Sequence, residues 1–111
     1  MEEARPIEVT DQSFQQEVLE AKVPVVLDFW APWCMPCRTV TPVMDSLAKH
    51  YQGKVKVCKI NIEQGQQSAS RYGVMSVPTL HIFKDGQIVE QLTKVTSNLE
   101  EDIKKKVAAY I

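Results

Sequence analysis

Two periods of apolar residues divide the chain into alternating strands and helices. Ile7–Val9 reads as a short strand, after which Thr10 or Asp11 caps a helix that turns Phe14, Val18 and Leu19 inward. From Val23 to Trp30 the residues are almost wholly apolar and β-branched or aromatic, the signature of a strand covered on both faces of a largely parallel sheet. Pro24 fits only near its start, because proline cannot donate to a ladder. Val40, Val43, Met44, Leu47, Ala48 and Tyr51 then recur at offsets of three and four, which predicts a long helix ending at Gly53 and interrupted by Pro42.

Val55–Ile62 reads as a further strand and 66–72 as a short helix closed by Gly73. Thr79–Phe83 and Ile88–Leu92 flank Lys84-Asp85-Gly86-Gln87, an Asp-Gly signal for an antiparallel hairpin. In the last helix Leu99, Ile103 and Val107 recur every fourth residue, Ser97 and Glu100 have capping-box spacing, and Glu100, Glu101 and Asp102 precede Lys104, Lys105 and Lys106 by four. The lysine run is therefore a solvated face. The order βαβαβαββα predicts an α/β fold, a mixed sheet flanked by helices with right-handed crossovers in its first part.

Composition narrows the class. A chain of 111 residues holds one domain, and with 44% hydrophobic and 24% charged residues it is neither disordered nor fibrous. Thirteen Lys+Arg against fourteen Asp+Glu leave a charge of −1, so no basic field attracts nucleic acid or an anionic membrane. No apolar run reaches the roughly 18 residues of a membrane span, and the acidic opening Met1-Glu2-Glu3-Ala4-Arg5-Pro6 lacks the apolar stretch of an export signal. A cytoplasmic, monomeric protein is expected.

The chemistry lies in the cysteines. Three is an odd count, and Cys34 and Cys37 are too close in sequence to staple distant segments, so a reducing compartment with reactive thiols fits better than a disulfide scaffold. The pair sits where a buried strand gives way to a helix. Unpaired amides and the helix dipole there favour a Cys34 thiolate, while Cys37, one turn in, is expected to be more buried and more ordinary. Half of a zinc or iron–sulfur site is the alternative, but only Cys58, His50 and His81 remain as partners and they lack metal spacing. Asp28, inside Val25-Val26-Leu27-Asp28-Phe29-Trp30, is expected to be desolvated with a raised pKa. Cys58 reads as a small buried hydrophobe, His81 as a sheet-face residue and His50 as the close of the long helix.

The stretch Asp28-Phe29-Trp30-Ala31-Pro32-Trp33-Cys34-Met35-Pro36-Cys37 resembles the active-site motif of the thioredoxin family. The resemblance extends to Pro42, Lys59, Tyr72-Gly73-Val74, Val77-Pro78-Thr79 and Phe83-Lys84-Asp85-Gly86, and so covers nearly the whole chain from Ile7 onward. It implies the thioredoxin fold over residues 1–111, a central mixed five-stranded sheet flanked by four helices, and thiol–disulfide exchange. Cys34 would attack a protein disulfide and Cys37 would resolve the mixed disulfide. Asp28 would accept the proton of Cys37, with Lys59 setting its charge environment.

The resemblance also makes the Val77–Pro78 bond cis, leaving the Val77 backbone free to pair with an extended substrate. Trp33, Met35, Pro36, Met75, Val77 and Pro78 would form the docking surface. It further implies no bound cofactor and no metal, the redox centre being the Cys34–Cys37 disulfide, with electrons from NADPH through a thioredoxin reductase. Two features depart from the family. Met35 replaces the usual glycine between the cysteines, which bears on the potential and makes an atypical reductase one alternative. The stretch 92–99 lacks a glycine and carries Lys94 and Thr96 instead, and Arg38 stands for the common lysine. Rival readings are a disulfide oxidase or isomerase on the same fold, and a redox-independent binding subunit.

Overall fold

The computed structural model describes residues 4–111; the acidic start at 1–3 lies outside the described residues. Five strands form one mixed sheet in the order β1-β3-β2-β4-β5. They are β1 (Ile7–Val9), β2 (Val25–Trp30), β3 (Lys56–Asn61), β4 (Thr79–Lys84) and β5 (Gln87–Leu92). The first three run parallel, β4 is antiparallel to β2, and β5 to β4. Helices α1 (Cys37–Tyr51), α2 (Gln66–Arg71) and α3 (Leu99–Val107) connect or close them, together with a π-helical turn, Gln15–Leu19, and a final 3₁₀ turn, Ala108–Tyr110.

The central strand β2 is buried from Val25 to Phe29 because both sheet faces are covered. On one face Val26, Val57, Leu80 and Ile82 meet Val40, Met44 and Leu47 of α1 and Leu99, Ile103 and Val107 of α3. On the other, Val9, Leu27, Phe29, Ile60 and Phe83 pack with Phe14, which precedes the π-helical turn, Val18 within it and Ala69 of α2. Pro42 interrupts α1 without ending it; its missing N–H leaves the Arg38 carbonyl without the usual donor. The β4–β5 hairpin turns through Asp85 and Gly86, at φ 54° and 79°. A side chain at Gly86 would also come within 3.1 Å of the Leu19 carbonyl oxygen, so position and conformation both demand glycine.

Three local expectations need correction. Asp11 does not cap the helical turn that follows it: its carboxylate accepts the Gln67 and Ser68 amides and the Ser68 hydroxyl, and so caps α2 across 56 and 57 residues of sequence. The first turn opens instead with Ser13 Oγ accepting the Thr10 amide. Asn98, not Ser97, precedes α3, and no side chain caps it. The Glu100 carboxylate that was to complete a capping box accepts the Ser46 hydroxyl at 2.8 Å, joining α3 to α1. Lys104 keeps its partner Glu100 at 3.1 Å, but Lys106 reaches Glu90 of β5 at 3.3 Å rather than Asp102. In each case a tertiary partner outcompetes a sequence neighbour.

Candidate active site

Strand β2 hands over to α1 through a tight turn in which the Cys34 amide donates to the Ala31 carbonyl at 3.1 Å. Pro36 precedes the first turn of α1, where its missing N–H costs nothing. This geometry sets Cys34 just outside the helix and Cys37 at its first residue, and the two are joined by a disulfide. The Cys37 amide donates to Cys34 Sγ at 3.2 Å, so an unpaired amide of the helix start points at that sulfur. From the other side the Val77 carbonyl oxygen lies 3.6 Å from Cys34 Sγ.

The expected contrast in burial between the cysteines is slight. Cys34 is 5% exposed and Cys37 3%, both packed with Ala31 against Trp30, Ile62 and Val77. What the surface offers is the rim: Trp33, Met35 and Met75 are 65%, 66% and 94% exposed. Trp33 and Met35 flank Cys34 in the chain, and Met75 lies two residues before Val77, whose carbonyl oxygen approaches the same sulfur, so the exposed apolar side chains belong to the segments that carry the site. Pro36 is exposed, Val77 half-buried and Pro78 buried, and the Val77–Pro78 bond is cis.

Beneath this surface Asp28 is 3% exposed, and its Oδ1 is buried without a hydrogen-bond partner among the described residues. Burial pushes its carboxyl up to about 7, against the opposing pull of Lys59. Asp28, Trp30, Thr41, Met44, Asp45, Lys59 and Pro6 line a small cavity of about 160 Å³. Thr41 and Met44 lie one and two turns beyond Cys37 on the same stripe of α1, so the stripe that opens with Cys37 runs over the cavity. Lys59 pairs across the sheet with Asp28, yet its ammonium is held 3.5 Å from Glu8 and 5.6 Å from the centre of the Trp30 ring. Neither Glu8 nor Asp45 stands out in the sequence. The Ile7-Glu8-Val9 alternation signals an outward Glu8, but only strand register sets it beside Lys59.

The remaining candidates sit elsewhere. Cys58 is fully buried in β3 on the opposite sheet face, and burial pushes its thiol up to about 12. His81 is buried on that face among Phe29, Tyr72 and Phe83. His50 lies in the last turn of α1 against the Tyr51 ring. The glycine-free loop places Val95, Thr96 and Ser97 with Thr39, Val43 and Leu99 around a surface hollow of about 370 Å³, with Lys94 exposed. Among the described residues no group of three or more His, Cys, Asp or Glu side chains is arranged to hold a metal ion, and no helix is long and apolar enough to cross a membrane.

A dithiol pair that closes at a helix start, on the strand-to-helix connection that follows a buried carboxylate and among exposed apolar residues, can exchange its disulfide with another. Comparison with known proteins agrees. The family profile described as Thioredoxin matches residues 5–109. Thioredoxin 1 of a Nostoc species is 56% identical over 85 residues, covering 77% of this chain and 79% of that protein. The thioredoxin of Pseudomonas aeruginosa is 52% identical over 89 residues, 80% and 81% of the two chains. That of Porphyra purpurea is 46% identical over 103 residues, 91% and 96%. With this match over nearly its whole length, and with the Cys34–Cys37 disulfide where the motif requires it, the chain belongs to the thioredoxin family.

Proposed function

We propose a division of labour among the site residues: Cys34 is the attacking sulfur, Cys37 resolves, and Asp28 is the base for Cys37. The chain is a protein-disulfide reductase of the electron-carrier type. It carries no prosthetic group; the redox centre is the Cys34–Cys37 pair. The observation that carries the assignment is the setting of Cys34 Sγ, which accepts the helix-start amide of Cys37 and has the exposed Trp33 and Met35 as its chain neighbours.

In the reduced protein that amide and the helix dipole favour a Cys34 thiolate. The thiolate attacks one sulfur of a protein disulfide; a Cys34–substrate bond forms and the other substrate sulfur leaves with its electron pair, then takes up a proton. Cys37 gives its proton to the Asp28 carboxylate, and the cavity beside Asp28 has room for a water to carry it. Its thiolate then attacks Cys34 Sγ; the second substrate sulfur leaves with its electron pair and takes up the proton held by Asp28, and the Cys34–Cys37 disulfide closes as seen here. Two electrons and two protons pass to the substrate. A carboxyl near 7 suits the transfer, because it is partly ionised at neutral pH.

Trp33, Met35, Pro36, Met75, Val77 and Pro78 form the docking surface, with the Val77 backbone pairing to an extended substrate segment. Residues 1–111 work as one thioredoxin domain, a monomer in the cytoplasm that binds neither nucleic acid nor membrane. A reductase partner restores the dithiol with electrons from NADPH. Met35, two-thirds exposed beside the attacking sulfur, favours a reductase fitted to this bulkier face.

Trapping tests the assignment. With a disulfide-bonded protein substrate, Cys37→Ser should accumulate a mixed disulfide through Cys34, visible on non-reducing gels and by mass spectrometry, whereas Cys34→Ser should accumulate none. A stable adduct through Cys37 in Cys34→Ser would reverse the two roles.

A further inference from the structure

Register places one residue of every strand in a single row across the sheet. Glu8 of β1 pairs with Lys59 of β3, Lys59 with Asp28 of β2, Asp28 with Leu80 of β4, and Leu80 with Leu92 of β5. Directly paired residues project to the same face, so the row is a charge gradient running from open solvent into the core beneath α1. Glu8 stands at its wet end and Asp28 at its dry end, with the Lys59 ammonium between them, 3.5 Å from Glu8 Oε1.

We propose that Glu8 controls the proton affinity of Asp28 through Lys59: by pairing with the ammonium at the cavity rim, it limits how much of that positive charge the buried carboxylate feels. Asp28 is the one member of the row that must carry its charge with little water around it, and Lys59 is the cation opposing that cost. The Glu8 carboxylate draws the ammonium outward and cancels part of its field, so it favours the protonated form of Asp28. Other groups face Asp28 as well. From α1 come Asp45, which shares the cavity, and the uncharged Thr41 and Met44; from β4 comes Leu80, and Pro6 precedes β1. Arg5 and Lys49 line a second hollow with Asp45. None of these changes when Glu8 does. Glu8 is thus a positioning residue, and its effect on turnover rests on the proposed role of Asp28 as base for Cys37.

The test follows the Asp28 carboxyl carbon by NMR titration in the intact reduced and oxidised protein. Four forms are compared: unchanged, Glu8→Gln, Lys59→Met and the double variant. Glu8→Gln should lower the Asp28 midpoint by about 0.3 to 0.5 pH units, the scale of a half-exposed ion pair. Lys59→Met should raise it by at least as much, and adding Glu8→Gln to Lys59→Met should move it no further, because the two act in series. A midpoint within about 0.1 unit of the unchanged protein in Glu8→Gln, a rise, or a fall that persists without Lys59 would overturn the proposal. The pH profile of mixed-disulfide resolution, read in parallel, separates the two claims. A moved midpoint with an unmoved profile sinks Asp28 as the base and leaves the Glu8 control standing. Glu8 is on the surface, so circular dichroism and thermal unfolding should match the unchanged protein.

Discussion

Asp28 and His81 lie on adjacent strands, are 3% and 2% exposed, and differ in nearly everything else. Asp28 projects toward α1 into a cavity that it shares with Lys59, and burial outweighs the lysine to push its carboxyl up to about 7. His81, one register position away, projects to the other face among aromatic rings; its Nδ1 has no hydrogen-bond partner among the described residues, and burial pushes its pKa down. Both groups are driven toward neutrality by the same loss of water. Only the aspartate has a nearby countercharge, room for water and a redox sulfur on the helix above. Burial alone perturbs a group; perturbation with an exchange route makes it useful.

The largest expected effect comes from Asp28→Asn. Disulfide reduction should slow about 100-fold, the lower end for loss of a general base, and should lose its pH dependence between about pH 6 and 9. The same variant should gain stability at high pH. A carboxyl that titrates near 7 folded and near 3.8 unfolded favours the folded state fully below 3.8, and this advantage is lost as pH rises to about 7. Above pH 7 the ionised group costs about 4 kcal/mol, so the unfolding free energy from urea titration at pH 8 should rise in Asp28→Asn, with its midpoint, by about 2 kcal/mol or more once amide burial is counted. Equal midpoints at pH 8, with an unchanged rate profile, would make Asp28 as inert as His81.

His81→Phe tests the other side. Burial holds its folded pKa below the ordinary 6.5 of histidine, so its stability is present in full above 6.5 and is lost as pH falls through the lowered value. The slope is at most about 1.4 kcal/mol per pH unit, and it opposes the rise that Asp28 produces over the same acid range. Urea midpoints of His81→Phe should therefore climb more steeply between pH 6.5 and 5 than those of the unchanged protein, with reductase activity intact. A lost activity would mean that the aromatic face is coupled to the site.

The smallest effect sharpens the contrast between two aspartates. Burial raises the Asp11 carboxyl, but the hydrogen bonds from Ser68 and Gln67 outweigh it and hold the group below 3.8. Its sign is opposite to that of Asp28: stability is present above 3.8 and lost as pH falls through the lowered value. Asp11→Ala should cost about 1 kcal/mol at pH 7, as for a lost helix cap, and much less near pH 2. An equal loss at both would show that packing, not ionic capping, carries the contact.

How far the molecule was legible in its residues follows the range of each interaction. The buried stripe of α1, the Asp-Gly hairpin and the Leu99/Ile103/Val107 face of α3 were readable because period and turn chemistry are local. So was the cysteine pair at the head of a helix, while the reductase chemistry came with the resemblance to the thioredoxin family. The Asp11 cap, the Glu100–Ser46 bond and the Lys106–Glu90 pair were not. Each joins residues whose proximity exists only after the sheet has assembled, and each displaced a local partner of similar chemistry.

The same division holds at the site. Residue order alone determined that Asp28 would be desolvated, since a carboxyl inside an apolar β-branched strand has nowhere wet to go. It also set the spacing of Cys34 and Cys37, which two intervening residues confine to one turn. Tertiary structure decided which strands flank Asp28, and therefore that Lys59 faces it and Glu8 holds Lys59. It also decided that Met75 opens to solvent and that the Val77 carbonyl comes within 3.6 Å of a sulfur 43 residues away. Strand order and register belong to the assembled sheet and cannot be read from any one segment, so the electrostatics of this carboxylate come from the fold.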